Sequence, residues 1–255
     1  MVVPPEEDGQ LTTSAVRVLV ATAVPAERDA VAQAFPDPYG ETRTLPGGLT
    51  LHHPTGAPGR YDLLAVGVGP ALAAASTATA LTAASLTGDP YDLVVSAGIA
   101  GGFAPDAPVA SLILADHITA ADLGAETADG FLPVTDLGFG TVTHTPPPDL
   151  VRRAATATGA RTGTVLTVST VTGTARRADD LRAAHPGALA EAMEGFGVAE
   201  AAGAHGVPVL ELRAVSNAVG PRDRSAWRIK DALESLTAGF GKLAPVLESW
   251  RRHDF

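Results

Sequence analysis

Short apolar runs alternate with longer amphipathic or alanine-rich segments along most of the chain. Glycine, proline or polar residues bound each run, which is typical of buried strands. The pattern predicts strands at Val16–Ala23, Tyr61–Val68, Tyr91–Ala97, Ser111–Ala121, Thr162–Ser169 and Val207–Val215, with a short one near Leu49–His53. It predicts helices at Pro25–Phe35, Pro70–Leu86, Leu150–Gly159, Ala175–His185 and Trp227–Arg252, and a further helix that carries Ala192, Met193 and Glu194 and stops at Gly206.

The alternation of strands and helices favours a mostly parallel sheet with helices on both faces. The predicted fold class is therefore α/β, a three-layer α/β/α sandwich with six or seven strands. No linker interrupts residues 16–252, so we expect one domain over residues 15–255. Residues 1–14 contain little apolar material and show no period, and we expect them to be disordered.

Two segments between the predicted elements are candidates for function. Residues 98–102, Gly-Ile-Ala-Gly-Gly, follow a strand and form a predicted loop that a ligand could approach closely, because most side chains are absent. Gly124–Pro148 is long and irregular, and long loops in compact domains are often functional.

Composition narrows the classes of function. Of the 255 residues, 45% are hydrophobic, but no apolar run approaches the roughly 20 residues that span a bilayer. The N-terminus lacks the basic and apolar regions of a signal peptide, so we expect a cytoplasmic protein with no membrane partner. The net charge of −10 argues against a nucleic-acid partner, and the absence of cysteine excludes disulfides and thiolate chemistry. A small molecule is the expected partner.

Familiar cofactor and metal motifs are weak or missing. Gly67-Val68-Gly69 lies between a strand and a helix, but no acidic residue ends the next strand, as a dinucleotide site requires. None of the seven histidines pairs with another at the spacing that places two metal ligands on one helix face. We therefore expect neither a cofactor nor a metal.

Two polar residues stand out from apolar surroundings. Glu194 lies among Met193, Phe196 and Val198 on a segment otherwise suited to burial, and Asn217 follows the last predicted buried strand. Strand ends of open α/β sheets are where ligands bind, so these residues could line one pocket. The alternative is that Glu194 is a solvated helix residue and Asn217 a turn former.

Four blocks of sequence carry a family resemblance. Val18–Glu27, Ser96–Gly102, Ala192–Gly195 and Arg213–Asn217 resemble the corresponding blocks of the nucleoside phosphorylase and nucleosidase superfamily, in the same order. The resemblance runs from about Val16 to Trp250. Within the superfamily the chain looks most like the futalosine hydrolase branch, nucleosidases of menaquinone biosynthesis, because Ser216–Arg224 and Trp227 fit that branch.

The resemblance implies roles for particular residues. Glu27 would orient and deprotonate the attacking water, and Glu194 would accept hydrogen bonds from the ribose 2′ and 3′ hydroxyls while Met193 packs against the sugar. Arg213 and Ser216 would hold Asn217 in place. Asn217 would be the third catalytic residue, through its contact with the leaving base. The other expected substrate contacts are Ala23, Ile99, Ala100, Gly101, Val171, Thr172 and Arg222.

Asn217 indicates which base leaves. A 6-oxopurine presents a carbonyl acceptor near N7, and an amide offers a donor and an acceptor to that edge. Related methylthioadenosine nucleosidases place an aspartate where this chain has Asn217 and a serine where it has Ile99, so adenine is a poorer match. The expected reaction is hydrolysis of futalosine to hypoxanthine and dehypoxanthine futalosine.

Alternatives remain at the level of the sequence. A methylthioadenosine-type nucleosidase, a phosphate-dependent phosphorylase and a non-catalytic nucleoside-binding protein share the fold. The positions where phosphorylases carry phosphate-binding arginines hold Thr22-Ala23-Val24 and Val94-Val95-Ser96, which favours water over phosphate. Phe131, Phe139, Arg222 and Arg224 are candidates to bind the benzoate-like arm of futalosine. The family is oligomeric, so a homo-oligomer is expected.

Overall fold

The structure is a computed structural model that describes residues 15–128 and 130–250. The predicted disorder of residues 1–14 lies outside the described residues. The helices are α1 (Pro25–Ala32), α2 (Pro70–Leu86), α3 (Pro148–Thr158), α4 (Ala175–Ala184), α5 (Gly195–Ala204) and α6 (Ile229–Ser249). The strands are β1 (Arg17–Thr22), β2 (Asp37–Thr44), β3 (Thr50–Thr55), β4 (Arg60–Ala65), β5 (Leu93–Gly102), β6 (Leu112–Ala120), β7 (Gly124–Thr127), β8 (Gly130–Pro133), β9 (Thr143–His144), β10 (Arg161–Thr167), β11 (Ala188–Ala192) and β12 (Val209–Ala218).

One mixed sheet contains ten of the described strands, so the predicted six or seven is too few; β2, β9 and β11 were not predicted. Its order is β11-β10-β6-β12-β5-β1-β4-β3-β2, with β9 paired to β6, and β11 also pairs with β5. Strands β5, β12, β6, β10 and β11 therefore close on themselves, while β1, β4, β3 and β2 extend one side. The pairs of β1 with β4 and of β5 with β1 and β12 are parallel, as the alternating pattern predicted.

Apolar side chains of successive strand residues enter two different cores. Leu19 and Val94 contribute to a core that also contains Leu81 of α2 and Val198 of α5. Their neighbours Val20 and Val95 contribute to a second core with residues of α1, α3 and α6. Because strand side chains alternate between faces, the sheet is covered on both sides, which confirms the three-layer α/β/α fold. No helix in the described part of the chain has the length and hydropathy of a membrane span.

The glycine-rich segment after residue 97 is a strand, so the predicted loop at residues 98–102 is wrong. β5 continues through Gly102 because β12 pairs with it as far as Ala218. β11 pairs with the same glycines from the other side. A ladder on both sides holds the backbone extended despite the low strand propensity of glycine.

The helix predicted to carry Glu194 is also wrong at its start. Ala188–Ala192 forms β11, because these residues pair in parallel with β10. Met193 and Glu194 lie between β11 and α5, and Glu194 is the residue that immediately precedes the helix. Alanine and glutamate favour helices in isolation, so only the neighbouring strand explains the extended conformation.

Two segments in which few or no strands were predicted contain additional strands. Residues 36–60 contain the hairpin of β2 and β3, of which only β3 was predicted. The segment Gly124–Pro148 contains the separate hairpin of β7 and β8, and β9 pairs with β6.

Candidate active site

A cleft of about 260 Å³ lies beside the glycine-rich end of β5. Six of the predicted site residues line it: Gly101, Val171, Thr172, Met193, Asn217 and Arg222. They come from five separate parts of the chain, so their convergence is a result of the fold. Glu191, Val219 and Trp227 also line the cleft. The walls of the cleft are therefore partly apolar and partly polar.

The register of the sheet places two polar side chains on either side of Gly101. Asn217 of β12 pairs with Gly101 on one side of β5, and Glu191 of β11 pairs with Gly101 on the other side. A Cβ atom at residue 101 would lie 2.9 Å from Val219 Cγ2 and 3.5 Å from Asn217 Nδ2. Glycine therefore leaves room on this part of the cleft.

Hydrogen bonds orient the Asn217 amide. The Ser216 hydroxyl lies 2.8 Å from Asn217 Oδ1, to which it can donate, and 3.2 Å from the Ala100 carbonyl oxygen. Asn217 Nδ2 donates to the Ala218 carbonyl at 3.0 Å. Ser216 is buried and Asn217 is half-buried, so the serine supports an amide that borders the cleft. The amide keeps a second N–H that these contacts do not use.

Glu191 is a buried carboxylate that the sequence analysis missed. Its Oε1 accepts a hydrogen bond from the Thr172 amide at 2.8 Å, and its Oε2 accepts one from the Thr172 hydroxyl at 2.5 Å. Burial raises the pKa of Glu191 above 4.5, although the bonds from Thr172 oppose the shift. Each oxygen of a carboxylate has two acceptor sites, so both oxygens can still accept from a ligand.

Arg222 and Arg224 share one aromatic partner at the mouth of the cleft. The Arg222 guanidinium carbon lies 5.2 Å from the Trp227 ring centroid, and that of Arg224 lies 5.8 Å from it. Phe131 and Phe139, the predicted ring partners, do not line this cleft, and both are exposed. Phe131 instead packs over Gly124 within the β7–β8 hairpin.

Glu27 is held by backbone amides on the first turn of α1. Its Oε2 accepts from the amides of Ala23 at 2.9 Å and Val24 at 3.3 Å. Its Oε1 accepts from the Ile99 amide at 2.8 Å. Burial raises the pKa of Glu27 above 4.5, and the positive charge of Arg213 partly offsets that rise. The amides of Ala23 and Ile99, predicted as substrate contacts, thus hold the carboxylate.

Glu194 is not a solvated helix residue. It is 6% exposed, its Oε1 accepts from the Gly69 amide at 3.2 Å, and its Oε2 lies 3.6 Å from Arg213 Nη1. Arg213 is fully buried, donates from Nε to Glu211 at 2.8 Å and from Nη2 to the Ser96 hydroxyl at 3.1 Å. The guanidinium therefore lies among carboxylates and a hydroxyl.

Gly98 is the point at which these groups meet. A Cβ atom on this residue would lie 2.6 Å from Glu27 Oε1 and 2.7 Å from Arg213 Nη1. Both side chains occupy the space that any other residue would need. Glu27, Glu194 and Arg213 therefore form one buried cluster, which we call the carboxylate–arginine cluster. Met193 lines the cleft and directly precedes Glu194 in the chain. Ala100 is buried on β5 between Ile99, whose amide donates to Glu27, and Gly101 of the cleft.

The residues that sequence reasoning missed are Glu191, Glu211 and Gly69. Both glutamates lie inside strands, where a charged residue in an apolar run is a detectable signal of a special environment. The amide of Gly69 leaves no such signal, since any residue supplies one. A second groove, of about 460 Å³ between His144–Pro148 and Val207–Val209, is lined mainly by proline, alanine, glycine and valine and contains none of the predicted site residues.

The sequence and fold both match known proteins. Residues 17–245 match the profile of the phosphorylase superfamily. The chain is 74% identical over 237 residues to a futalosine hydrolase of Streptomyces coelicolor, and the aligned region covers 93% of this chain and 99% of that protein. It is 44% identical over 233 residues to a futalosine hydrolase of Acidothermus cellulolyticus, with 89% and 90% coverage.

A solved structure shares the fold. Futalosine hydrolase of Helicobacter pylori superposes with a TM-score of 0.75 at 18% identity, over 91% of this chain and 97% of that one. At this identity the likeness concerns the fold alone.

Proposed function

We propose that this chain, which belongs to the futalosine hydrolase family of the phosphorylase superfamily, hydrolyses the N-glycosidic bond of futalosine and releases hypoxanthine. The observation that carries the proposal is the pairing of Asn217 and Glu191 across Gly101 in one cleft. The carboxylate–arginine cluster beside the same strand supplies groups for the sugar and the water.

The base is read at two edges in this proposal. Hypoxanthine presents acceptors at O6 and N7 and a donor at N1–H, whereas adenine presents a donor at N6 and an acceptor at N1. The spare N–H of Asn217 would donate to the O6 and N7 edge, and the Glu191 carboxylate would accept from N1–H. With adenine the Glu191 carboxylate would face the N1 lone pair, so buried polar groups would be left unpaired.

The sugar and the water are assigned to the other two carboxylates. Glu194, at the start of α5, would accept hydrogen bonds from the ribose hydroxyls while Met193 packs against the ring. Glu27 would take a proton from water as the water attacks the anomeric carbon, and the glycosidic electron pair would leave with the base. The departing base would then take up one proton from solvent to give hypoxanthine, and Glu27 would release its proton to solvent. The raised pKa of Glu27 suits a base, because proton transfer to it is more favourable.

Water is proposed as the nucleophile because the cluster offers no free cation for phosphate. Arg213 is the cation in the cluster, and it is buried and bonded to Glu211 and Ser96. Phosphate binding needs exposed, unpaired donors aimed at the site. Arg222 at the cleft mouth is exposed and is proposed instead to pair with the carboxylate of the benzoate-like arm, beside the Trp227 ring.

We also propose a cytoplasmic homo-oligomer that acts in menaquinone biosynthesis. The apolar side chains of Val68, Leu72 and Leu123 are exposed. A groove of about 280 Å³ between α2 and α5 contains Leu123 and Phe196. Light scattering of the purified chain tests the oligomer, and a monomeric mass would refute it. Restoration of menaquinone in cells that lack the hydrolase tests the pathway.

A substrate profile tests the proposed function. Purified enzyme is assayed with futalosine, inosine, descarboxy-futalosine and methylthioadenosine, each with and without phosphate. Futalosine is expected to be cleaved without phosphate, and loss of its carboxylate to lower kcat/KM by about tenfold or more, as one charge-assisted hydrogen bond is worth about 1.5–3 kcal/mol. Equal efficiency on futalosine and inosine would indicate a general purine nucleosidase, and strict dependence on phosphate a phosphorylase.

A further inference from the structure

Glu211 is a buried carboxylate to which the proposed reaction gives no direct role. It lies on β12, two residues before Arg213, and its side chain has no solvent exposure. Its Oε1 accepts the hydrogen bond from Arg213 Nε, whereas its Oε2 has no hydrogen-bond partner among residues 15–128 and 130–250. A buried charge with an unsatisfied oxygen destabilises the fold, so its presence needs a reason other than stability.

The immediate surroundings of Glu211 are crowded and specific. A Cβ atom at Gly195, the first residue of α5, would lie 2.3 Å from both carboxyl oxygens of Glu211. The carboxylate thus packs against the positive end of the α5 dipole, which partly stabilises its charge. Glycine at residue 195 is what allows this approach.

The charged groups around Glu211 are Arg213 on its own strand, Glu194 before α5 and, across Gly98, Glu27 of α1. One cation therefore lies among three carboxylates. Arg213 Nη1 is directed towards Glu194 and Gly98, and its Nη2 towards Ser96, because Glu211 fixes Nε on the other side. Burial raises the pKa of Glu211, and the charge of Arg213 opposes that rise.

Hydrolysis of an N-glycosidic bond develops positive charge on the sugar. Without Glu211, the guanidinium charge would be balanced by Glu194 and Glu27 alone, which would weaken the negative potential that these two present to the sugar and make Glu27 a weaker base. A carboxylate that neutralises the guanidinium removes both effects.

We propose that Glu211 is a positioning residue that fixes the Arg213 guanidinium and neutralises its charge, so that Glu27 and Glu194 present negative potential to the sugar. The inference rests on the proposed hydrolysis and adds a residue to it. Glu211 acts through Arg213 and does not contact the substrate.

The test compares Glu211→Gln with a matched control. Glutamine keeps the size and the acceptor but removes the charge, so kcat is expected to fall by about tenfold or more while KM stays within about twofold. The acid limb of the pH profile of kcat/KM should move to lower pH, because the charge of Arg213, no longer neutralised by Glu211, lowers the pKa of Glu27. The control is Asp62→Asn, which removes a buried carboxylate paired with Arg17 at 2.7 Å at the opposite end of β1.

Asp62→Asn is expected to lower thermal stability and to leave kcat and the acid limb unchanged. Glu211→Asp keeps the charge, so its acid limb should remain that of wild type. If Glu211→Gln does not fold, Glu211→Asp becomes the test. An acid limb of kcat/KM that differs from wild type in Glu211→Asp would overturn the proposal.

Two further results would also overturn it: wild-type kcat and pH profile in Glu211→Gln, or the same kinetic change in Asp62→Asn. An inactive wild-type enzyme would refute the proposed hydrolysis itself. An active enzyme that is insensitive to Glu211→Gln would refute only this inference.

Discussion

Glu27 shows how two opposing effects act on one carboxyl group. Burial favours its protonated form, and the amides of Ala23, Val24 and Ile99 favour the ionised form. Burial is the larger effect, so the pKa is raised. The same amides fix both oxygens, so the carboxylate that we propose as the base is held in one orientation.

Replacement of this base tests its role. Glu27→Gln should lower kcat by about a hundredfold or more, the usual contribution of a general base, while ligand affinity stays within about tenfold. Because a base must be deprotonated and its pKa is raised, wild-type kcat/KM should fall as pH drops through a value above 4.5. The variant should lack that limb. The measurement is a pH profile with product affinity from calorimetry, and equal losses of binding and turnover would make Glu27 a structural residue.

Asn217 is the residue proposed to select the leaving base. Asn217→Asp should lower activity on a 6-oxopurine nucleoside and raise relative activity on its adenine analogue. Mispaired buried polar groups cost about 1–3 kcal/mol, so the ratio of kcat/KM values should move by about tenfold or more. Asn217→Ala is the control, and it should lower both activities. An unchanged ratio in Asn217→Asp would mean that Asn217 does not read the base.

At the scale of elements, β5 organises the site. Gly98 lies beside the carboxylate–arginine cluster, and Gly101, three residues further along the strand, lines the cleft. β12 and β11 deliver Asn217 and Glu191 to the two sides of Gly101. The strand therefore connects the carboxylate–arginine cluster, the proposed place of the sugar chemistry, with the cleft proposed to bind the base.

Replacing each of the two glycines with alanine tests whether the cluster and the cleft have separate functions. Gly98→Ala would place a Cβ within 2.7 Å of both Glu27 and Arg213, so kcat should fall by about tenfold or more through displacement of the base. Gly101→Ala meets Val219 Cγ2 at 2.9 Å, and it should raise KM more than it lowers kcat. Steady-state kinetics of the two variants measure the contrast. The same pattern of change in both would contradict the division of the strand.

Elements with strong local signals were predictable, and those that depend on partners were not. The bounds of α2 agree with the predicted Pro70–Leu86, because proline opens it and Gly88 follows its end. The sequence also identified Glu194 and Asn217 as residues in an unusual environment. It could not place Glu194 before a helix, since β11 is a strand only through its pairing with β10 and β5. Glu191 was hidden by the same error.

At the scale of the whole molecule, the cluster joins residues that are distant in sequence. Glu27, Gly98, Glu194 and Arg213 meet only when β1, β5 and β12 are aligned side by side. The far end of the same strands is tied by a second buried charge group, in which Asp62 bonds to Arg17 at 2.7 Å and to Tyr91 at 2.6 Å. The two buried charge groups therefore lie near opposite ends of β1.

This second group gives a prediction for acid stability. Burial alone would raise the pKa of Asp62, but hydrogen bonds from His53 and Tyr91 and the charges of His53 and Arg17 lower it below 3.8. Its contribution is therefore present above pH 3.8 and lost as pH falls through the lower folded value. Asp62→Asn should reduce the free energy of unfolding at about pH 7 and differ less from wild type at about pH 3. Urea unfolding measures this, and a constant difference would contradict it.

The most direct test of the account identifies the nucleophile and the products together. Futalosine is incubated with the purified chain in phosphate-free buffer made with ¹⁸O-labelled water, and the products are analysed by mass spectrometry. Hydrolysis predicts unlabelled hypoxanthine and a sugar product that carries one ¹⁸O atom at the anomeric carbon from the earliest times, before the separately purified sugar product exchanges its hemiacetal oxygen with the same water. No cleavage without phosphate, or a sugar 1-phosphate once phosphate is added, would contradict it.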